Sequence, residues 1–403
     1  MEIKNYLHKR RGKSTLLGIC PMTEEIVKAA IAEAKDTSFT PMFIATPRQV
    51  DADRGYTGWS QEDLVEFIDE VSNQYRYEGD WILARDHGGP YQSFRDRGKD
   101  EVPTSRAMEY ARELFYRDVR AGFDVIHVDA TEDPGVDGRL SLSEIASRTA
   151  ELILSIEDYI EKKNLQAVNY EVGTEEIVGG MTDSENFEKF VKLLGRKIGS
   201  DSPIDRILFV VGQVGTTMRI DMTNDFDRSK AKELVKITSS HDTFLKVHYT
   251  DWLGDSVLSD FPEIGIGAAN VGPEFAASLL EGLVKVEREE TRLLEENGSE
   301  EERSNFFETL KTVAVEKAPW KKFAPSDIEG QDLEDFAENN RENIAFCVGR
   351  YVLTDPEVKG ARGKLYENVR KYSRNRDIEE RLIEEVKDSI HRYVTAFNLD
   401  SGS

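Results

Sequence analysis

The chain is poor in cysteine, has no long apolar run and shows no excess of positive charge. Of its 403 residues only Cys20 and Cys347 are cysteines, too few for the disulfide framework of a secreted domain or for an all-cysteine zinc site. No stretch approaches the roughly 18 uninterrupted apolar residues of a membrane-spanning helix. The basic N-terminal segment has no apolar run behind it, so a secretory signal is not predicted. These absences predict a reduced, cytoplasmic protein.

Acidic residues outnumber basic ones by 77 to 53, and the formal net charge is −24. Such a field repels the phosphates of nucleic acids and of anionic membranes, so neither is an expected partner. An anionic substrate would need local cations or a metal to overcome this field. Hydrophobic residues make up 39% of the chain, enough for a large core, which excludes global disorder.

Eight short apolar segments, rich in β-branched residues, alternate with amphipathic segments in the first part of the chain. Each fits a strand buried on both faces. They span residues 15–19, 41–46, 81–86, 124–129, 167–172, 207–211, 244–248 and 264–268. Eight such alternations are typical of a (β/α)8 barrel. A doubly wound open sheet is the alternative, weakened because no Gly-x-Gly-x-x-Gly follows the first strand.

The strand pattern stops after residue 290, and only helical patterns follow. They span residues 306–315, 332–340, 365–372 and 378–397. We therefore predict an α/β protein with two parts. Residues 1–295 form a (β/α)8 TIM barrel, and residues 296–403 form a helical extension packed on the barrel.

Catalytic residues of such barrels come from the C-terminal ends of the strands. Polar residues at the predicted ends are Asp86, His87, Asp129, Glu175, Gln213, His248, Asp251 and Asn270. Imidazole nitrogens and carboxylate oxygens together suit Zn²⁺, Mn²⁺ or Co²⁺. An open position on such a metal can hold a substrate oxygen and stabilise an enediolate.

The histidines differ in how strongly their context favours function. Asp86 and His87 precede two glycines that allow close backbone approach, which favours a functional pair. His248 is equally compatible with a ligand and with a hydrogen-bonded structural group. His127 lies in mid-strand and is expected to pack inside or to hydrogen-bond. Asp129 lies two residues later, on the same face of the strand, and could orient His127.

Two loops contain candidate substrate-binding groups. Tyr56 lies in a glycine turn, and Arg48 and Arg54 flank this turn, where they could bind phosphate or carboxylate or pair with surface acids. Gly272 precedes the last barrel helix, whose N-terminus is a natural phosphate seat. The alternative there is an ordinary helix start with Pro273 near its first position.

Several short motifs follow one another in an order that is similar to a known family. They are Leu17-Gly-Ile-Cys20, Ala45-Thr-x-x-Gln49, Gly55-Tyr-Thr-Gly58, Asp86-His-x-Gly-Pro90, Ala121-Gly-Phe-x-x-Ile-His-x-Asp-Ala130, Val172-Gly-Thr-Glu175, His248-x-Thr-Asp251, Val271-Gly-Pro273 and Pro319-Trp-Lys-Lys-Phe323. In this order they resemble the non-catalytic, Z-type subunit family of class II D-tagatose-1,6-bisphosphate aldolase. The resemblance implies a metal-dependent, aldolase-type TIM barrel with a helical tail.

The resemblance also implies roles for single residues. Asp86 and His87 match the Asp-His pair that supplies a proton-transfer acid and a metal ligand in catalytic class II aldolases. His248 matches a second ligand histidine. Gln213 stands where those enzymes carry a third, and Glu175 could replace it as a ligand.

These implied roles complete a predicted site in three sets. The catalytic set is Asp86, Asp129 and Glu175; the metal set is His87, His248, Glu175 and Gln213; the substrate-binding set is Arg48, Arg54, Tyr56, Asn270, Gly272 and Asp251. The expected cofactor is a divalent metal, Zn²⁺ before Mn²⁺ or Co²⁺.

Two functions remain open at this point. The first is metal-dependent aldol cleavage or C4 epimerisation of a ketose, a ketose phosphate or a sugar acid. The second is a non-catalytic partner that stabilises a separate catalytic class II aldolase subunit. A homo-oligomer is expected in either case.

Overall fold

The computed structural model describes residues 2–99, 101–136, 139–174, 179–199, 203–298, 302–325, 327–373 and 377–400. These residues contain ten strands. In chain order they are β1 Leu16–Ile19, β2 Met42–Ala45, β3 Ile82–Gly88, β4 Val125–Val128, β5 Asn169–Gly173, β6 Gly179–Met181, β7 Ile207–Val211, β8 Val214–Thr217, β9 Phe244–Val247 and β10 Ala268–Val271.

Eight of these strands form a closed parallel barrel in the order β1, β2, β3, β4, β5, β7, β9, β10. The barrel closes where Leu16 of β1 pairs with Ala268 of β10, and Ile19 with Val271. Nearly every residue of these strands is buried, because helices cover the outer face and side chains fill the interior. The predicted (β/α)8 barrel is confirmed.

Ten helices belong to the barrel part. They are α1 Ile3–Arg10, α2 Glu24–Thr37, α3 Gln61–Tyr75, α4 Thr104–Ala121, α5 Leu142–Lys163, α6 Ser184–Ile198, α7 Arg228–Ser240, α8 Asp255–Leu258, α9 Asp260–Ile264 and α10 Pro273–Glu296. Local sequence sets their ends. Ser60 and Asp63 form a capping box at the start of α3, and Gly122 ends α4 in the left-handed conformation.

The helical extension is also confirmed. It contains α11 Phe306–Lys317, α12 Gln331–Asn339, α13 Arg341–Val348, α14 Pro356–Tyr372 and α15 Ile378–Ala396. Two 3₁₀ turns, Trp320–Phe323 and Gly349–Val352, interrupt it. Helix α15 packs against α2 and α10, and the Thr15 N–H beside β1 donates to the Phe397 carbonyl at 3.1 Å. Side chains of the extension share one core with the barrel. The domain boundary at residue 295 stays a prediction. Helix α10 ends one residue later, at Glu296.

The eighth strand lies four residues later than predicted. Ile264 ends α9, and Gly265 follows it with φ of 92° as a left-handed cap. The strand itself is Ala268–Val271. The shift matters for the site, because it places Asn270 inside the strand rather than beyond it.

Strands β6 and β8 form a small antiparallel pair outside the barrel. They belong to the connections that follow β5 and β7, on the side where the barrel strands end. Both cysteines are buried free thiols. Among the described helices, none combines the length and the apolar character needed to cross a bilayer.

Candidate metal centre and substrate cavity

An open cavity lies at the C-terminal mouth of the barrel, and its empty space, which includes open solvent at the entrance, is about 820 Å³. The barrel lines it on one side and the extension on the other. Predicted site residues in its wall are Arg48, Tyr56, Asp86, His87, His248, Asp251, Asn270 and Gly272.

Four buried side chains, Asp86, His127, Glu171 and His248, place ligand atoms within 4.8 Å of one another beside this cavity. The Nε2 of His248 lies 3.5 Å from Asp86 Oδ1 and 3.2 Å from Glu171 Oε1. The Nδ1 of His127 lies 3.6 Å and 3.4 Å from the same two oxygens. The strand ends of β3 and β9 and the interiors of β4 and β5 supply this cluster.

The spacing of the cluster fits a divalent metal. Four ligand atoms around Zn²⁺ at its usual bond lengths are about 3.4 Å apart when the geometry is tetrahedral. The Nδ1 of His127 also accepts the His87 backbone N–H at 3.1 Å, and a metal would have to displace this bond in order to use that nitrogen. The carboxylate oxygens of Asp86 and Glu171 face the same two imidazoles, and a cation would stabilise two carboxylates held so close together.

A buried lysine completes the charge balance. Lys246 Nζ lies 2.5 Å from Glu171 Oε2, and both side chains are fully buried. Burial opposes ionisation of Glu171, but the ammonium group of Lys246 outweighs it and holds the pKa of Glu171 at about 2. Burial likewise opposes ionisation of Asp86, whose pKa is held well below its usual value by His248 and His87. Both carboxylates are therefore charged at neutral pH.

His87 lies next to the cluster but has a different partner. Its Nδ1 is 2.8 Å from Asp129 Oδ2, and its ring centroid is 4.9 Å from that of His248. Asp129 also accepts hydrogen bonds from Gln92 at 3.1 Å and from Thr131 at 2.5 Å. Although burial opposes it, the bond and charge of His87 lower the pKa of Asp129 to about 2. The described partner of Asp129 is thus His87, whereas the sequence suggested His127.

The backbone N–H groups of the predicted phosphate site at the start of α10 are already bound by a side chain of the protein. Asp251 Oδ1 accepts the N–H groups of Gly272 at 2.9 Å and Glu274 at 2.8 Å. Burial raises the pKa of Asp251 to about 7, although these two donors favour its charged form. The N-terminal charge of this helix is therefore used within the protein. Roles for Asp251 and Gly272 in substrate binding stay predictions.

The remaining predicted residues are spread more widely. Asn270 lies in the cavity wall, and its Nδ2 donates to Asp86 Oδ1 at 3.3 Å. Gln213 is buried between β7 and β8, where its backbone bonds with Thr182. Arg54 is exposed and pairs with Asp63 at 2.9 Å. Glu175 lies outside the described residues.

Sequence reasoning missed two kinds of residue. Glu171 and His127 stand in mid-strand, where a core position is the usual expectation. The only signal in the sequence was a charged residue within an otherwise apolar strand. Lys322 and Arg350 come from the extension, and no pattern places their side chains over the barrel mouth, where the structure has them.

The fold and the cluster together define an aldolase-type (β/α)8 barrel with a candidate metal centre at its mouth. The D-tagatose-1,6-bisphosphate aldolase subunit GatZ/KbaZ-like family matches residues 2–396, and the chain belongs to this family. It is 25% identical over 340 residues to the D-tagatose-1,6-bisphosphate aldolase subunit GatZ of Klebsiella pneumoniae subsp. pneumoniae, covering 78% of this chain and 76% of the relative. The subunit GatZ of Escherichia coli O1:K1 is 24% identical over 332 residues, covering 78% and 77%.

Solved structures share the fold. A probable tagatose 6 phosphate kinase from Sinorhizobium meliloti 1021 superposes with a TM-score of 0.76 at 21% identity, over 95% of this chain and 100% of that one. The fructose-bisphosphate aldolase of Campylobacter jejuni gives a TM-score of 0.56 at 12% identity, over 99% and 93%.

Proposed function

We propose that the chain is a divalent-metal enzyme for aldol cleavage or C4 epimerisation of a ketose, a ketose phosphate or a sugar acid. One observation carries the proposal. Asp86, His127, Glu171 and His248 converge at the mouth of the barrel, beside the His87–Asp129 pair, and Asp86, His87 and His248 line the adjoining cavity.

The four converging residues are the proposed ligands of Zn²⁺, or alternatively of Mn²⁺ or Co²⁺, and a substrate oxygen would join them as a fifth ligand. When bound there, such a metal polarises a substrate carbonyl and stabilises the enediolate that aldol cleavage creates. This set differs from the sequence-based one, in which His87 and His248 were joined by Glu175 or Gln213. Both sets contain His248, but only the sequence-based set contains His87. Variants of His87 can therefore distinguish them.

The chain's own residues would handle the proton. Aldol cleavage of a 2-ketose removes the proton of the C4 hydroxyl while the C3–C4 bond breaks, which leaves an aldehyde and an enediolate. Re-addition to the opposite face of the aldehyde yields the C4 epimer. An imidazole whose Nδ1 is held by a carboxylate exchanges protons through Nε2. We assign this role to His87, with Asp129 as its orienting partner and Asn270 as a hydroxyl-binding group.

The experiment compares three histidine variants for metal content and turnover. We expect His248→Ala to lose both. We expect His87→Ala to keep its metal but lose about 10²-fold or more of the rate, the scale of general acid–base catalysis. His391→Ala is the control, because this half-exposed residue lies outside the cavity wall and pairs with Glu33. Elemental analysis and a panel of ketoses, ketose phosphates and hexuronates provide the two readouts.

Each outcome decides one assignment. If His87→Ala loses the metal, His87 is a ligand as the resemblance implied, and its proton-transfer role is wrong. If His248→Ala retains the metal, the proposed centre is wrong.

The relatives favour a second candidate function, because they are named as aldolase subunits. In that case the chain stabilises a separate catalytic class II subunit, and Gln213 in place of a third histidine is consistent with this. The panel distinguishes the two. Turnover by the chain alone supports the enzyme, whereas activity only after addition of a catalytic class II aldolase subunit supports the partner.

A further inference from the structure

We propose that side chains of the helical extension and of two barrel loops together form an anion-binding subsite in the wall of the cavity, which takes the phosphate or carboxylate end of the substrate. The inference rests on the proposed function and narrows its substrate class to anionic sugars. Its members are Arg48, Arg97, Lys322 and Arg350, hereafter the cationic wall.

Four cations in one cavity are unexpected in a chain of net charge −24. Elsewhere on this molecule, arginines and lysines mostly pair with acids. Within the described part of the chain, no member of the cationic wall has a carboxylate oxygen within 4.0 Å. Like charges held together without acidic partners repel one another, and an anion between them would remove that repulsion.

Packing holds the cationic wall in place without neutralising it. Arg350 is only 6% exposed; it donates to the Cys347 carbonyl and stacks on the Tyr351 ring at 4.5 Å. The Arg48 guanidinium lies 5.2 Å from the centre of the same ring. Its buried Nε finds no hydrogen-bond partner among the described residues, as expected of a donor reserved for a ligand.

Lys322 reaches the cavity from the 3₁₀ turn Trp320–Phe323. This turn is anchored by the indole of Trp320, whose Nε1 donates to the Val315 carbonyl at 2.8 Å. Burial, aided by the neighbouring arginines, lowers the pKa of Lys322 to about 8. The neighbouring cations outweigh burial at Tyr351 and lower its pKa to about 8. The lowered pKa of Tyr351 reflects the cations of the wall gathered around its hydroxyl.

The layout relates the cationic wall to the chemistry. Asp86, His87 and His248 line the barrel side of the cavity, and Lys322 and Arg350 line the extension side. A sugar with its reacting carbons at the candidate metal centre would thus present its far end to the cationic wall. The α10 N-terminus does not compete for that end, since Asp251 already accepts its N–H groups.

The test measures binding by calorimetry, with sodium sulfate as the first probe because it undergoes no reaction. We expect saturable sulfate binding that weakens about tenfold in Lys322→Gln and in Arg48→Gln. Lys321→Gln is the matched control, because Lys321 belongs to the same turn but lies outside the cavity wall. Sulfate binding should also survive removal of metal by a chelator. Equal sulfate affinity in Lys321→Gln and Lys322→Gln, or no saturable binding at all, would overturn the proposal.

A second series identifies the anion and separates this proposal from the proposed function. It compares the binding affinities of D-fructose, D-fructose 6-phosphate and D-galacturonate. A preference for either anionic sugar that disappears in Lys322→Gln supports the subsite and names its group; no preference overturns it. Intact sulfate binding without any turnover refutes only the proposed function. Turnover that is unaffected by Lys322→Gln refutes only the subsite.

Discussion

Two charged side chains lie in the middle of strands that are otherwise apolar. Glu171 of β5 and Lys246 of β9 are fully buried and pair at 2.5 Å inside the barrel. Taking both charges out of water is unfavourable by several kcal/mol unless each is well compensated. Glu171 has a second oxygen that faces His127 and His248. We infer that this pair is kept because Lys246 positions Glu171 for the cluster.

Lys246→Met should therefore unfold the protein more easily and make it more dependent on metal. Loss of the ammonium leaves Glu171 buried without its strongest partner, which lowers the free energy of unfolding by about 3–5 kcal/mol. A bound divalent cation would compensate the carboxylate, so added Zn²⁺ should stabilise Lys246→Met more than the wild type. Urea unfolding with and without Zn²⁺ measures both effects.

Lys236→Met is the control for the lost charge. Lys236 is exposed on α7, and its replacement should change the free energy of unfolding by no more than about 0.5 kcal/mol. An equal Zn²⁺ response in Lys246→Met and the wild type would contradict a link between Lys246 and the cluster.

Whether a site residue can be predicted from the sequence depends on where it lies within its strand or segment. Asp86, His87 and His248 could be found, since strand ends of a barrel face one mouth. His127 and Glu171 could not, because their meeting requires barrel closure between residues distant in the chain. The same holds for Lys322 and Arg350, which reach the cavity only through the packing of the extension.

At the scale of elements, the end of β3 explains why two adjacent side chains both reach the cavity. Successive side chains of a regular strand point to opposite faces. Here the register between β3 and β4 shifts between Arg85 and Gly88, and His87 has φ of 45°. This local irregularity turns Asp86 and His87 towards the same mouth, as bulges next to active sites commonly do.

Gly89→Ala should disrupt this end of β3. A Cβ at Gly89 would lie 1.7 Å from the Asp129 carbonyl oxygen, so the ends of β3 and β4 must separate. We expect a loss of about 1–3 kcal/mol in the free energy of unfolding. Turnover should also fall, because the bond between His87 and Asp129 spans these two ends. Chemical denaturation and the sugar panel provide the measurements.

Gly360→Ala serves as the matched control. Gly360 lies within α14, and a Cβ there meets no atom within 4 Å. Alanine should stabilise this helix by about 0.5–1 kcal/mol. The proposed strain at the strand end is wrong if Gly89→Ala keeps wild-type stability and activity.

Local sequence predicted most elements, and the exceptions have physical reasons. Seven barrel strands were placed within a few residues, because a short apolar run rich in β-branched residues usually forms a buried strand. The segment around Ile264–Val271 was misplaced because its small residues fit a strand or a helix end equally well; Gly265 decides the matter as a helix cap. Pairs such as β6 and β8 depend on the loops that carry them, and their short sequences contain no clear period.

At the scale of the whole molecule, the barrel and the extension pack tightly against each other. Helix α15 approaches α10 so closely that a Cβ at Gly282 would lie 2.8 Å from the Leu382 side chain. The Tyr393 hydroxyl donates to the Thr250 carbonyl at 3.2 Å, beside the cavity. Surface ion pairs follow the same seam, among them Lys387 with Asp36 at 2.6 Å. The extension thus covers a barrel face and completes the cavity.

We therefore expect barrel and extension to unfold in a single transition. Of the four tryptophans, only Trp320 belongs to the extension. Replacing Trp59, Trp81 and Trp252 by phenylalanine makes its fluorescence a probe of the extension, while far-UV circular dichroism reports the whole chain. The two probes should give one urea midpoint, because a shared core cannot be exposed on one side only.

Ile390→Ala in this background sharpens the test. Ile390 is fully buried on α15, and its truncation should lower the free energy of unfolding by about 2–5 kcal/mol. Leu154→Ala, at an exposed position of α5, should have almost no effect. If the two parts are coupled, Ile390→Ala shifts the fluorescence and dichroism midpoints equally. A fluorescence midpoint that falls while the dichroism curve splits in two would show an extension that melts alone. The cationic wall would then be lost before the barrel unfolds, so anionic sugars should protect the extension selectively.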